Sequence, residues 1–182
     1  GYTELNLNLG CPAKTVVSKL RGSGFLSVPD QLDAFLDAVF RGCSQKVSVK
    51  TRIGKTDAEE FGRLLEIYEK YPISELIIHP RTQKELYGGV PDLEAFELAV
   101  RTSGKKLCYN GDIRTPDDLK CLKNRFPSVG SWMMGRGLLR NPQLIENIQK
   151  DTAPDRKRIR AFQDELEEAY KETLCVEVPV LF

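Results

Sequence analysis

Cys11 stands three residues after Asn8, on a Gly10/Pro12 turn that closes the alternating run of residues 3–9. A thiol on such a strand-end turn reads as a functional group rather than as a small buried hydrophobe, because chemistry in an α/β barrel sits at the strand ends. Further along, comparable groups recur at intervals: Lys50 and Arg52, His79 and Arg81, Asn110 and Asp112, then Gly135 and Arg136. A lysine turned toward a protein interior is costly unless an anion or cofactor faces it. Alternatively, Lys50 and Arg52 form a solvated strand face. His79 is the only histidine, and it reads either as a site group or as a satisfied core imidazole. Asn110-Gly111-Asp112 has the composition of a tight turn, and Gly135-Arg136-Gly137 that of a loop. Taken together, the last two groups match a phosphate site made of backbone N–H groups, a helix N-terminus and a cation.

These groups share one property: each follows a segment that reads as a strand. Leu5, Leu7 and Leu9 alternate with polar residues, the period-two signal of a strand. Residues 46–53 alternate again, with Val47, Val49, Thr51 and Ile53 predicted to face helices and Lys50 and Arg52 to face inward or to the rim. Residues 75–79, 106–110 and 131–134 read as three further short strands. Helices are predicted between them. The first starts at Pro29-Asp30 with an apolar stripe of Leu32, Phe35, Leu36, Val39 and Phe40. Others cover residues 58–71 and 92–100, and two more start at Pro116 and Pro142. Five βα units with short connections predict a parallel α/β architecture. Parallel strands put their C-terminal ends at one rim, so residues far apart in sequence should converge there.

Composition narrows the classes. With 182 residues and 41% hydrophobic content the chain can bury a real core. A net charge of +1 does not advertise nucleic-acid binding, although a local basic patch would suffice for it. The cluster Lys150, Arg156, Lys157, Arg158 and Arg160 reads most simply as a solvated helix face, with polyanion contact as the alternative. Five cysteines without CxxC spacing point to a reducing, cytoplasmic setting. Cys43, Cys108, Cys121 and Cys175 read as small buried hydrophobes. No apolar run approaches a membrane span and no metal-ligand spacing is present. After Pro154 the character changes: residues 156–174 form one charged helix with Ile159, Phe162, Leu166 and Tyr170 on a single face.

The motifs Asn8-Leu9-Gly10-Cys11-Pro12, Arg21-Gly22-Ser23-Gly24-Phe25-Leu26, Lys50-Thr51-Arg52-Ile53-Gly54, His79-Pro80-Arg81-Thr82, Asn110-Gly111-Asp112-Ile113 and Gly135-Arg136-Gly137 resemble, in order and spacing, the tRNA-dihydrouridine synthase family. The resemblance implies a (β/α)8 TIM barrel. It is present here as an incomplete barrel of about five βα units over residues 1–150, corresponding to strands four to eight. Residues 155–182 would begin a C-terminal helical RNA-binding domain. It implies FMN as cofactor, NADPH as its reductant and tRNA as substrate. Cys11 would protonate C5 of the uracil while hydride reaches C6 from the flavin. Asn8, Arg52 and Tyr87 would contact the substrate. Lys50, His79, Asn110, Asp112, Gly135 and Arg136 would line the flavin and its phosphate. An incomplete barrel leaves two open sheet edges, which dimerisation would close. Whether five βα units are active by themselves stays open at this stage. Two other readings remain open at this stage: a phosphate-binding aldolase or isomerase with Lys50 as Schiff-base amine, and a non-catalytic RNA-binding protein.

Overall fold

The computed structural model describes residues 1–174; Cys175 and residues 176–182 lie outside the described residues. The described residues divide into two compact units, one comprising Gly1–Asp112 with Leu122–Met133, the other Ile113–Cys121 with residues 134–174.

The first unit holds a five-stranded parallel sheet in simple sequential order: β1 (Glu4–Asn8), β2 (Lys46–Arg52), β3 (Leu76–His79), β4 (Leu107–Asn110) and β5 (Ser131–Met133). Between the strands run α1 (Lys14–Val17), a 3-10 turn (Gly22–Ser27), α2 (Pro29–Gly42), α3 (Glu60–Glu69), α4 (Leu93–Thr102) and α5 (Pro116–Arg125). The arrangement is the parallel α/β architecture that the period-two and period-3.6 patterns predict, and it forms the incomplete barrel-like fold that the resemblance implies.

The sheet's two faces carry different chemistry, and the register shows why. Asn8 pairs with Lys50, Lys50 with Ile77, Arg52 with His79, and Asn110 with Met133. Parallel partners point to the same face, and side chains alternate along each strand. One face therefore carries Asn8, Lys50, Arg52, His79 and Asn110 toward the strand C-termini. The opposite face carries Val47, Val49, Thr51, Leu76 and Ile78, all buried, as the alternation in β2 predicts. There the Thr51 hydroxyl meets the Tyr68 hydroxyl of α3 at 2.9 Å. Leu32, Leu36, Phe61, Leu64 and Leu65 complete this helix-covered core. Phe96 packs edge-on against Tyr109 and against Phe126, each with centroids 5.0 Å apart. Such contacts add about 0.5–1.5 kcal/mol beyond area burial.

Helix boundaries follow local chemistry. Pro29 opens α2 at a position where its missing N–H is no loss. Asp92 caps α4 by accepting from the backbone N–H groups of Glu94 and Ala95. β1 pairs only with β2 among the described residues, and Leu5 there remains 41% exposed. Alternation in β1 is real, but it does not bring full burial at an edge strand.

The second unit contains α6 (Arg136–Arg140), α7 (Leu144–Lys150) and α8 (Arg156–Leu174). Gly137 lies so close to the backbone of Ile113 that a Cβ there would fall 2.2 Å from its carbonyl oxygen. Asn141 donates to Asn147 at 2.9 Å, and Asn147 donates on to Thr152 and Ala153, which fixes the approach to α8. Phe162, Leu166 and Tyr170 form the apolar face foreseen on α8, and each remains about half exposed. Short helices were not foreseen: α1 and α6 have four and five residues, too few to show a period. Of the cysteines read as buried, Cys108 is buried, Cys43 is half-buried and Cys121 is exposed. Cys121 sits mid-way along α5, exposed between the buried Leu119 and Leu122 in sequence.

Candidate active site at the strand ends

Cys11 owes its position to its backbone. Its carbonyl accepts from the N–H of Ser23 at 3.0 Å and from the Ser23 hydroxyl at 2.9 Å. Gly22 makes that approach feasible. It has φ +53°, and a Cβ would lie 2.6 Å from the Cys11 oxygen. The Gly-Ser-Gly turn is therefore a mould for the cysteine loop. On the other side of the turn, Asn8 Oδ1 accepts from the Gly10 N–H at 3.1 Å, an Asx turn that leaves the strand.

Arg52 ties this loop to another. It is only 1% exposed. Its Nε donates to the Gly10 carbonyl at 3.0 Å and its Nη1 to the Thr82 carbonyl at 2.8 Å. Its guanidinium lies 5.4 Å from the centre of the Tyr87 ring, within cation–π range. Burial pulls its pKa down, with Tyr87 acting in the opposite sense.

Residues 80–92 form the second wall. Arg81 donates to the carbonyls of Gly88 and Gly89, both at 2.7 Å, and pairs with Asp112 at 2.5 Å. Thr82 and Glu85 bond reciprocally, backbone to side chain. Leu86 and Gly89 have positive φ, and between them Tyr87 is held outward, about half exposed. Glu60 shapes the neighbouring loop by accepting from the N–H groups of Lys55, Thr56 and Asp57. Burial would raise its pKa, but these donors and the Thr56 hydroxyl outweigh that and lower it.

Between the walls opens a cavity of about 650 Å³ lined by Cys11, Lys14, Thr56, Gln83, Lys84 and Tyr87, among others. Cys11 and Tyr87, 76 positions apart in the chain, thus share one space. Lys14 and Lys84 at its wall were not foreseen; neither residue has a sequence signal beyond its charge. Both are exposed, so the cavity carries positive charge at its edge.

Lys50 and His79 sit on the same sheet face as Arg52. Lys50 is half-buried and makes no hydrogen bond or ion pair with a described residue. Burial and then Arg52 hold its pKa below the ordinary 10.5. His79 is pushed down to about 3, first by burial and then by Arg52, Lys50 and Arg81. It is a neutral imidazole throughout the physiological range. Asn110 donates to the Met133 carbonyl at 2.9 Å, tying the ends of β4 and β5. Asp112, at φ +41°, accepts from Arg81. Gly135 and Arg136 belong to the second unit, where Gly135 precedes α6 and both are exposed. Among the described residues no cluster suited to a metal ion is present, and no helix is long and apolar enough to cross a membrane.

Comparison with known proteins points the same way. Residues 1–175 match the family model described as dihydrouridine synthase. The tRNA-dihydrouridine synthase B of Vibrio cholerae is 30% identical over 150 residues, covering 82% of this chain and 46% of that protein. The proteins of the same name from Klebsiella pneumoniae and Yersinia pestis are each 29% identical over 150 residues, again 82% of this chain and 46% of theirs. The chain spans about half the length of the curated relatives it matches. With the family model covering nearly its whole length, the chain belongs to the dihydrouridine synthase family.

Proposed function

We propose that the protein containing this chain reduces uridine in tRNA to 5,6-dihydrouridine, using FMN recharged by NADPH, with Cys11 as the proton donor. The observation that carries the reading is the shared cavity: a thiol and an aromatic ring line one space of about 650 Å³ together with Lys14 and Lys84.

The reaction saturates the C5–C6 double bond of uracil. One C–H bond forms at C6 with a hydride, the other at C5 with a proton. A bound FMN would supply the hydride, with NADPH as the reductant that recharges it. Cys11 donates its Sγ proton to C5, and the resulting thiolate is reprotonated from solvent through the open cavity. Tyr87 offers a ring face to the base. Asn8, next to Lys50 in register, offers its amide N–H to a uracil carbonyl. Arg52, with two donors already occupied by backbone carbonyls, serves the substrate chiefly by fixing Gly10 and the Tyr87 ring.

The residues present suit a flavin. Lys50 is a half-buried ammonium with no partner among the described residues, which an electron-rich ring would supply. His79, neutral and buried, can donate without adding charge, and Asn110 keeps its Oδ1. Lys14 and Lys84 support contact with a polyanion, and α8 would begin the helical RNA-binding part.

The test is conversion of uridine to dihydrouridine in unmodified tRNA by the intact protein with FMN and NADPH. Product formation supports the reading, and a protein that binds FMN but never forms product contradicts it. The lowered pKa of Lys50 also suits Schiff-base chemistry. Borohydride trapping of a carbonyl substrate on Lys50 would favour that second reading.

A further inference from the structure

We propose that Arg81 is a positioning residue, which locks His79 as its Nδ1–H tautomer and holds the Tyr87 loop against the cavity. The inference rests on the reading of the site as a uridine-reducing centre and goes beyond it by giving a role to Arg81, which that reading leaves without one.

Arg81 is fully buried and its donors are distributed in four directions. Nε bonds the Gly88 carbonyl, Nη2 bonds the Gly89 carbonyl and Asp112, and Nη1 lies 3.2 Å from Nε2 of His79. A guanidinium has donors only and stays charged in proteins. The His79 nitrogen facing it must therefore accept, so Nε2 carries no proton. In a neutral ring the proton then resides on Nδ1. That nitrogen makes no hydrogen bond with a described residue and is presented as a donor. Asp112 supplies the counter-charge that lets Arg81 remain buried.

The same guanidinium sets the Tyr87 loop. Gly88 and Gly89 directly follow Tyr87, and the segment is tight, with Leu86 at φ +55° and Gly89 at φ +62°. Two bonds of 2.7 Å from one rigid fork fix both carbonyls at once. A lysine ammonium could not reach the two carbonyls, His79 and Asp112 together. Loss of the fork would free the loop and the imidazole in a single step.

Nitrogen-15 NMR of His79 in the intact protein tests this directly, its signal being assigned by loss in His79→Gln. The expected result near pH ~7 is a protonated Nδ1 and an unprotonated Nε2. The opposite tautomer, or a charged ring, overturns the proposal whatever reaction the protein catalyses. In Arg81→Lys, folded by circular dichroism, the tautomers should interconvert. The kcat for uridine reduction should fall about 10- to 100-fold. The KM for tRNA should stay nearly constant, because Arg81 is fully buried and offers no surface for tRNA to touch. An Arg81→Lys protein with unchanged tautomer and unchanged kcat overturns it. If that variant does not fold, the wild-type spectrum alone decides. If the wild type forms no dihydrouridine, the functional reading falls and the His79 spectrum still judges Arg81.

Discussion

Arg52 Nε donates to the carbonyl of Gly10 at 3.0 Å, so the residue just before Cys11 hangs from the neighbouring strand. The same guanidinium reaches Thr82 at 2.8 Å, and both walls of the cavity depend on it. Arg52→Ala should leave two buried carbonyls without their donors, at about 1–3 kcal/mol each. Urea unfolding is expected to show a loss of about 2–4 kcal/mol. A loss below about 0.5 kcal/mol would show that these two bonds do not hold the loops.

Gly22→Ala should distort the cysteine loop. The added Cβ would meet the Cys11 oxygen at 2.6 Å and the Cys11 Cβ at 2.9 Å, at a φ of +53°. Backbone strain of this kind costs about 1–3 kcal/mol. Thermal unfolding should register the loss, and thiol-reagent labelling of Cys11 should change in rate. A protein as stable as wild type would show that the turn does not mould the cysteine.

Lys50→Met should stabilise the fold while harming function. Lys50 holds a half-buried charge with no hydrogen bond or ion pair to a described residue, and burial already lowers its pKa. A methionine of similar length removes the desolvation cost, a gain of about 0.5–2 kcal/mol. Chemical denaturation of the flavin-free protein should show the gain, and FMN affinity should fall. Destabilisation by Lys50→Met would contradict this account of the residue.

His79 should make the protein acid-sensitive. Its folded pKa of about 3 lies below the ordinary 6.5, so between these values the unfolded chain binds more protons. Its contribution to stability is complete above about pH 6.5 and declines as the pH falls toward about 3. Unfolding free energies measured across that window should fall less steeply in His79→Gln than in wild type. Parallel curves would show that His79 titrates alike in both states.

Much of the architecture was legible in the sequence, for definite reasons. Val47, Val49 and Thr51 alternate with Ser48 and Lys50, and the sheet sorts them to opposite faces as written. Pro29 and Asp92 mark helix starts by their local chemistry. The strand-end rule brought Asn8, Lys50, Arg52 and His79 to one face although long segments separate them. What stayed hidden were matters of partner. Sequence shows that Arg52 and Arg81 are cations at strand ends, but not that both are buried and bonded to backbone carbonyls. Lys14 and Lys84 join Cys11 only through the folding of two loops. Exposure of Cys121 and of Leu5 depends on which surfaces other elements cover, which a local pattern does not contain.

The most direct test of the central claim is uridine reduction by Cys11 variants of the intact, FMN-loaded protein. If the Cys11 thiol is the proton donor in the cavity it shares with Tyr87, Cys11→Ala should bind tRNA and FMN normally and reduce uridine about 10²- to 10⁴-fold more slowly. Cys11→Ser should recover little, because a hydroxyl is a much weaker acid. Dihydrouridine formation by Cys11→Ala at the wild-type rate would contradict the account.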